Sequence, residues 1–373
     1  MATVRGARVN VLTGIDLPPD SPGGSVELLR DLYGGPEPLI PADVFMLAPE
    51  DRQAPDTSGS PALLAVPGKT VSGPAFWAYV DRLGAAVRDR YPAADHDVLH
   101  LQHLAFGATA ALQQVFPDRP SIALVHGTDL LFAEDHPTQA AVLRETAASA
   151  DAIVVPTRAM ADRLRRIAPV PSDRIVHIPW GVPDRLLAGR PTGPGHRAER
   201  EAGVLRVLYA GRLTAEKATS GLIAAVASLP GVELSVAAPP AEFAALAARS
   251  DLSRVRRLGW LSREDLWRAF GGHDLLIVPS LRLEAFGLVT IEAQACGLPV
   301  AYQPVPGLTE VLGRSALPVD FGDFTALRGR IEEFLRSPER LDDLAAAGLV
   351  NSGRFPLSRT AGDLAELSRR VAR

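Results

Sequence analysis

The sequence predicts an α/β protein made of two doubly wound parallel-sheet domains. Three observations carry this. Short continuous apolar runs alternate with longer amphipathic stretches along nearly all of the 373 residues, the pattern of buried parallel strands and their crossover helices. The alternation breaks once, near the middle, and then restarts. The length suits two domains of about 100–200 residues each.

Taken in order, Arg8–Thr13 reads as a strand and Gly24–Tyr33 as a helix. Asp43–Leu47 is the next strand, followed by a polar loop over Pro49–Ser60. Helix Phe76–Tyr91 leads to strand Val98–Gln102, the Ala-rich helix Gly107–Phe116 and strand Ser121–Val125. Helices Pro137–Ala150 and Thr157–Ile167 then alternate with strands Ala152–Val155 and Ile175–Ile178. The rhythm fails over Asp184–Ala202, where Pro and Gly accumulate and no strand pattern remains, as in a linker. It resumes with strands at Leu205–Ala210, Val232–Ala237, Val255–Leu258, Leu275–Pro279 and Pro299–Ala301, and closes with the helix Leu357–Ala372. The expected organisation is a first domain over 1–184, a linker over 185–202 and a second domain over 203–356. The last helix, 357–373, is expected to cross back to the first domain. Two such sheets would face each other across a cleft, and ligands of open α/β sheets bind beyond the carboxyl ends of the strands.

Composition narrows the function classes. Of 39 basic residues only Lys69 and Lys217 are lysines, so the arginine excess reads as codon bias in a G+C-rich genome. A net charge of −4 argues against a nucleic-acid partner. The single cysteine, Cys296, excludes a disulfide framework and a multi-cysteine metal site. No signal-peptide pattern and no run near 20 apolar residues is present, so a cytoplasmic protein without stable membrane association is expected. The charge is uneven: residues 1–185 carry 16 basic and 22 acidic groups, residues 186–373 carry 23 and 21. An anionic ligand therefore suits the second half better.

Two stretches carry chemistry. In YAGRLTAEK (Tyr209–Lys217), a strand ends in Gly211 and a helix begins near Lys217. Arg212 and Lys217 then lie over the strand's carboxyl end, where a guanidinium fork and a compact ammonium suit a diphosphate. A solvated pair of loop charges is the plain alternative. For Lys217 that alternative is weaker, because the chain has only two lysines in 373 residues. In PSLRLEAFGLVTIEAQACGLP (Pro279–Pro299), Glu284 and Glu292 have the spacing E-x7-E. Phe286, Gly287 and Leu288 open a helix between them, and free N–H groups at a helix start favour a phosphate oxygen. Gly287 there removes a Cβ that would block close approach. Glu292 lies on a helix with little polar face, so it needs partners, for which sugar hydroxyls are suited.

These two stretches resemble the family 4 (group 1) retaining nucleotide-sugar glycosyltransferases of the GT-B fold. Ala210-Gly211-Arg212-Leu213 with Lys217 fits one motif of that family, and Pro279 through Val300 fits the other. The resemblance implies that Arg212 and Lys217 bind the donor diphosphate. It also implies that Glu284 contacts the donor sugar, that Glu292 holds the ribose hydroxyls, and that Phe286, Gly287 and Leu288 give backbone contacts to phosphate. Gly23 and Gly24, in the Pro22-Gly23-Gly24 turn, match the family's glycine loop beside the donor. His126, closing the strand Ser121–Val125, matches a histidine that faces the donor sugar. Trp260 and Leu261 fall where the family places its nucleobase wall.

Three features depart from the pattern. Trp180-Gly181-Val182 replaces the usual Asn before Gly-Val. Val305-Pro306-Gly307-Leu308-Thr309-Glu310 replaces a Gly-Gly-Ile-Pro-Glu loop near the donor sugar. Asp95-His96-Asp97 mimics a D-x-D metal motif but precedes its strand, and reads as a solvated loop. No metal and no cofactor are expected, the nucleotide sugar being a co-substrate.

The function implied is transfer of a sugar, with retention, from a nucleoside-diphosphate sugar, UDP before GDP, to a small soluble acceptor. His103, Asp129 and Glu134 are the candidate acceptor contacts. Acidic groups there suit an aminocyclitol or amino sugar, as in natural-product (antibiotic) biosynthesis. A sugar-nucleotide epimerase or phosphorylase on the same fold, and a non-catalytic nucleotide-sugar-binding protein, are the alternatives. An epimerase would convert the donor alone, and a binding protein would hold it without transfer.

Overall fold

In the computed structural model, which describes residues 9–49, 60–92, 95–189, 203–214, 217 and 220–373, all strand pairs in two sheets are parallel. The first sheet contains β1 (Val11–Gly14), β2 (Ala42–Leu47), β3 (Ala62–Leu64), β4 (Val98–Leu101), β5 (Ser121–Leu124), β6 (Ala152–Val155) and β7 (Ile175–His177). Their order is β3-β2-β1-β4-β5-β6-β7. The second contains β8 (Leu205–Ala210), β9 (Val232–Ala237), β10 (Val255–Arg257), β11 (Leu275–Val278), β12 (Val300–Tyr302) and β13 (Leu317–Pro318), ordered β10-β9-β8-β11-β12-β13. Each order changes direction once, between β1 and β4 and between β8 and β11. Loops leaving the carboxyl ends of those neighbours part to opposite faces and leave a crevice there.

The central strands are apolar along their length because both faces are covered. Every residue of β1, β4, β5, β6 and β11 is buried. Burial of each Val, Leu or Ile side chain contributes about 1.5–3 kcal/mol. In the first unit the crossovers are α1 (Gly24–Tyr33), α2 (Gly73–Arg90), α3 (Phe106–Val115), α4 (Thr128–Asp135), α5 (Pro137–Ser149) and α6 (Arg158–Ile167). In the second they are α8 (Ser220–Ser228), α9 (Pro240–Ala247), α10 (Arg263–Gly271), α11 (Leu288–Ala295) and α12 (Pro306–Leu312), after a short α7 (Asp184–Ala188). Helices α13 (Phe324–Arg336), α14 (Glu339–Ser352) and α15 (Leu357–Val371) close the chain. Proline sits in the first turn of α2, α5, α9 and α12, where its missing N–H costs nothing. Thr157, Ser262 and Asp323 cap α6, α10 and α13 with side-chain oxygens. No described helix is long and apolar enough to cross a membrane.

The chain divides into two compact units. One is residues 1–179 with Arg359–Arg373, the other Trp180–Ser358. The division falls between Pro179 and Trp180, upstream of the boundary drawn from the sequence at residue 184. Two details account for it. Val182 bridges to Pro356, and a Cβ on Gly181 would stand 2.6 Å from the Leu357 backbone, so this stretch packs on the end of its own unit. Asp184, meanwhile, accepts from the Ser358 N–H and hydroxyl at 2.9 and 2.6 Å. The stretch assigned to a linker therefore begins as helix α7, and residues 190–202 of it lie outside the described residues. Most of the polar loop 49–60 does also.

Within the first unit a buried relay fixes α15. Ser368 donates to the Leu364 carbonyl at 2.8 Å, so it accepts from His100 Nε2 at 2.8 Å. His100 Nδ1 then accepts from the Tyr33 hydroxyl at 2.8 Å. Burial holds the His100 pKa down to about 3, so the ring stays neutral. Asp95 and Asp97 are exposed, as a solvated loop predicts, but His96 between them is not. His96 is buried and bonds Asp43 at 2.8 Å, while Asp97 accepts from the Asn10 N–H at 2.8 Å, at the end of the sheet away from the crevice.

Candidate active site

In the second unit the switch point lies between β8 and β11, and both sequence motifs start there. β8 runs into Gly211 and Arg212. The Tyr209 hydroxyl donates to the Arg212 carbonyl. Glu242 of α9 accepts from Arg212 Nε at 3.0 Å and from the Leu213 N–H at 2.6 Å, so the turn is gripped from two sides. Arg212 is thus already paired, with a carboxylate the sequence did not single out. Lys217 reaches the other motif directly: its Nζ donates to Glu284 Oε2. The Ser280 hydroxyl donates to the same oxygen at 3.2 Å. Burial and the charges of Glu242 and Glu284 both push the Tyr209 phenol up, so this side chain stays neutral.

Glu284 is positioned from below by a glycine. A Cβ at Gly307 would lie 2.0 Å from the Glu284 carbonyl oxygen, so only glycine lets the start of α12 rest there. The altered Val305–Glu310 stretch, expected as a loop, is mostly this helix, and it backs the Glu284 turn. Gly287 also has a reason in the fold itself. Its φ of 81° is a left-handed N-cap conformation, and a Cβ would meet Leu308 at 2.5 Å. Phe286 is buried edge-on against Phe355, 5.2 Å between ring centres. Leu288 is half-buried and opens α11, whose first N–H groups lack acceptors inside the helix.

Glu292, one turn into α11, is buried as expected, and its partners belong to α10. Oε1 accepts from the Arg263 guanidinium, at 3.1 Å from Nε. Oε2 accepts from the Trp267 indole N–H at 3.3 Å. Trp260 and Leu261 follow β10; Trp260 is an exposed aromatic and Leu261 is half-buried. The residues missed here are Glu242, Arg263, Trp267 and Gly307. A signal existed for two of them: the Ser262-to-Asp265 cap starts α10 at Arg263, which puts Arg263 and Trp267 on one face at i, i+4.

In the first unit the corresponding crevice lies past β1, β4 and β5. His103 and His126 follow β4 and β5 with ring centres 4.9 Å apart. Burial, reinforced by the Lys69 charge, holds His103 down to about 3. Burial and His103 together hold His126 well below its ordinary range. Both rings are neutral, able to donate or accept one hydrogen bond at each nitrogen. Asp16, past β1, is buried and accepts from the Gly107 N–H at 3.2 Å. The Lys69 ammonium lies 3.6 Å from the Asp16 carboxylate and donates to its carbonyl. Phe106 stands edge-on to His103 at 5.1 Å, with a φ of 75° that is rare outside glycine. Gly23 caps α1, and a Cβ there would meet nothing within 4 Å; Gly24 begins the helix, exposed.

Two expected acceptor contacts have other employment. Asp129 is fully buried and accepts from the Leu104 and Gly127 N–H groups at 3.1 and 2.8 Å, joining the loops that carry His103 and His126. Burial outweighs those bonds and raises it to about 6. Glu134 forms a forked pair with Arg163 of α6 at 2.8 and 2.5 Å. Asp16, Lys69 and Phe106 were missed. Lys69 carried the same signal as Lys217, being the other of two lysines.

Comparison with known proteins agrees across both units. The family model "Glycosyl transferases group 1" matches residues 197–349, and "Glycosyltransferase Family 4" matches residues 41–186. A D-inositol 3-phosphate glycosyltransferase of Mycobacterium sp. strain KMS is 30% identical over 332 residues, 78% of this chain and 72% of that one. The enzyme of the same name from Mycolicibacterium smegmatis is 29% identical, over 88% and 82%. Among solved structures, sucrose-phosphate synthase from Thermosynechococcus elongatus superposes with a TM-score of 0.79 at 22% identity, covering 97% of this chain and 99% of that one. HepE of Anabaena, in complex with UDP and glucose, gives 0.70 at 18% identity, covering 96% and 99%. These likenesses show the GT-B fold, and with the sequence relatives they establish that the chain belongs to the group 1 glycosyltransferases of family 4.

Proposed function

We propose that the protein transfers a sugar, with retention of configuration, from a nucleoside-diphosphate sugar to a hydroxyl of a small soluble cyclitol. The observation that carries the donor half is the meeting of Lys217 and Glu284 beside the start of α11. An ammonium, a sugar-facing carboxylate and a helix N-terminus at one switch point suit a sugar diphosphate. UDP is the preferred nucleotide. HepE, whose fold this chain shares, was solved in complex with UDP and glucose.

Departure of the diphosphate places negative charge on the oxygen that bridges it to the sugar. Lys217, Arg212 and the first N–H groups of α11 would stabilise that charge as it develops. Lys217 exchanges Glu284 for phosphate when the donor enters, leaving Glu284 to accept from sugar hydroxyls. The acceptor O–H attacks C1 on the face the diphosphate leaves. The C1–O bond to phosphate breaks, and the acceptor proton passes to a departing phosphate oxygen. No residue serves as covalent nucleophile.

For the acceptor, the relatives' names specify an inositol phosphate, and the first unit is suited to hydroxyl groups. His103 and His126 are neutral, Asp16 is an acceptor, and Lys69 adds one cation for an anionic substituent. An amine acceptor loses its support, because Asp129 and Glu134 are engaged within the protein. The test is an assay of UDP- and GDP-sugars against myo-inositol, inositol phosphates and aminocyclitols, with product anomers read by NMR. An α-linked cyclitol product from an α-linked donor is expected. Inversion, or transfer to amines alone, would overturn the proposal.

A further inference from the structure

We infer that Arg263 is a positioning residue for the nucleotide: it sets the plane and charge of Glu292 so that this carboxylate can receive the ribose hydroxyls. The inference rests on the proposed role of Glu292 and extends it to a residue in neither motif. Ser262 caps α10, its Oγ accepting from the Asp265 N–H at 3.2 Å, which fixes Arg263 as the first helical residue. Trp267, four residues on, shares that face. Both reach Glu292 across the contact between α10 and α11.

The grip defines the carboxylate's orientation. Nε and Nη2 of Arg263 both donate to Oε1, and the Trp267 indole donates to Oε2. One oxygen held by a fork and the other by a rigid indole leave the carboxylate no free rotation. Arg263 lies 5.6 Å over the Trp267 ring, so the two donors also brace each other. Arg185 of α7 covers the same ring at 5.3 Å and pairs with Glu264. Arg263 and Glu292 side chains are 8% and 7% exposed. At that depth the planar fork of the guanidinium, unlike an ammonium, dictates where the second oxygen points.

The test compares UDP and GDP with their 2′-deoxy counterparts by calorimetry on the full chain, in wild type, Arg263→Lys and Glu292→Gln. Arg263→Lys keeps the buried charge balanced and so keeps the fold. Wild type should prefer the ribonucleotide by about tenfold or more, the size of a hydrogen bond to a charged group. In Arg263→Lys that preference should shrink toward unity, while affinity for the 2′-deoxy nucleotide stays within about twofold. A merely structural arginine would weaken both nucleotides equally, and that result overturns the inference. If Glu292→Gln abolishes the preference but Arg263→Lys keeps it, the positioning role alone falls. If Glu292→Gln keeps it, or neither nucleotide binds, the donor assignment falls with it.

Discussion

The two crevices occupy equivalent places in two similar sheets and are armed differently. Past β1, β4 and β5 stand two imidazoles that burial keeps uncharged, with one carboxylate beside one lysine. Past β8 and β11 stand ions matched to ions: Arg212 with Glu242, Lys217 with Glu284, Arg263 with Glu292. The first arrangement favours a ligand that offers and receives hydrogen bonds without net charge transfer. The second keeps strong cations and anions oriented in pairs, the arrangement on which the proposed diphosphate and sugar site rests. The contrast teaches that one topology can build two differently charged crevices by local burial and pairing.

The largest test falls on the paired side. Lys217→Ala removes a cation from the developing charge and should lower kcat by about 10²–10³-fold, equivalent to about 2.7–4 kcal/mol. Circular dichroism should be unchanged, because Glu284 keeps its Ser280 bond and is only partly buried. Turnover near wild type would break the assignment of a charged donor site to the second unit.

Acid separates the two units next. His100 and His103, held near 3 when folded against 6.5 when free, stabilise the fold above pH 6.5 and lose that contribution as pH falls toward 3. His126 acts in the same direction. Asp129 opposes them: its folded value of about 6 exceeds its ordinary 3.8, so acid favours the fold as pH falls through 6 toward 3.8. Three groups against one leave a net loss, each group on the order of 1.4 kcal/mol per pH unit within its window. Hydrogen exchange between pH 7 and 4.5 should show the first unit losing protection before the second. Loss in the second unit first would show that its own groups, among them His273, which burial also holds low, dominate the acid sensitivity.

Gly307→Ala then probes how far the paired site depends on backbone support. A methyl 2.0 Å from the Glu284 carbonyl must move that turn. Overpacking of this kind costs about 1–3 kcal/mol of stability, and the shift of Glu284 should cut kcat/KM by about tenfold or more. Thermal unfolding and steady-state kinetics read the two effects separately. Full activity would mean that Glu284 tolerates displacement.

The same contrast explains what the sequence displayed. The second unit's site was legible because its ligating groups cluster in two contiguous motifs, each spanning one strand end and one helix start. Lys217 stood out by rarity, Glu284 and Glu292 by spacing. Their partners were hidden: Glu242, Arg263 and Trp267 come from helices after other strands, and only side-chain packing joins them. In the first unit the residues arrive one per strand end, as Asp16, His103 and His126, with no motif to bind them together. There Asp129 and Glu134, expected as acceptor contacts, are held by backbone N–H groups and by Arg163. Acidity in a sequence says nothing about whether a backbone N–H or an arginine already occupies the carboxylate. The parallel sheets were legible from the continuous apolar runs of their central strands, and short elements such as β3, α4 and α7 were not, having too few residues to show a period.

The smallest predicted effect tests whether Glu134 contacts the acceptor at all. Glu134 lies on α4, eight residues beyond His126, and was a reasonable acceptor contact by position. Its forked bond to Arg163 occupies both carboxylate oxygens on a partly exposed surface. Pairs of this kind are worth about 0.2–1 kcal/mol. Glu134→Ala should therefore lower stability by less than about 1 kcal/mol and move the acceptor KM by less than about twofold. Asp16→Asn alters the carboxylate beside Lys69 and should raise the acceptor KM far more. If the two variants behaved alike, the acceptor surface would extend along α4, and the neutral crevice past β1, β4 and β5 would be only part of it.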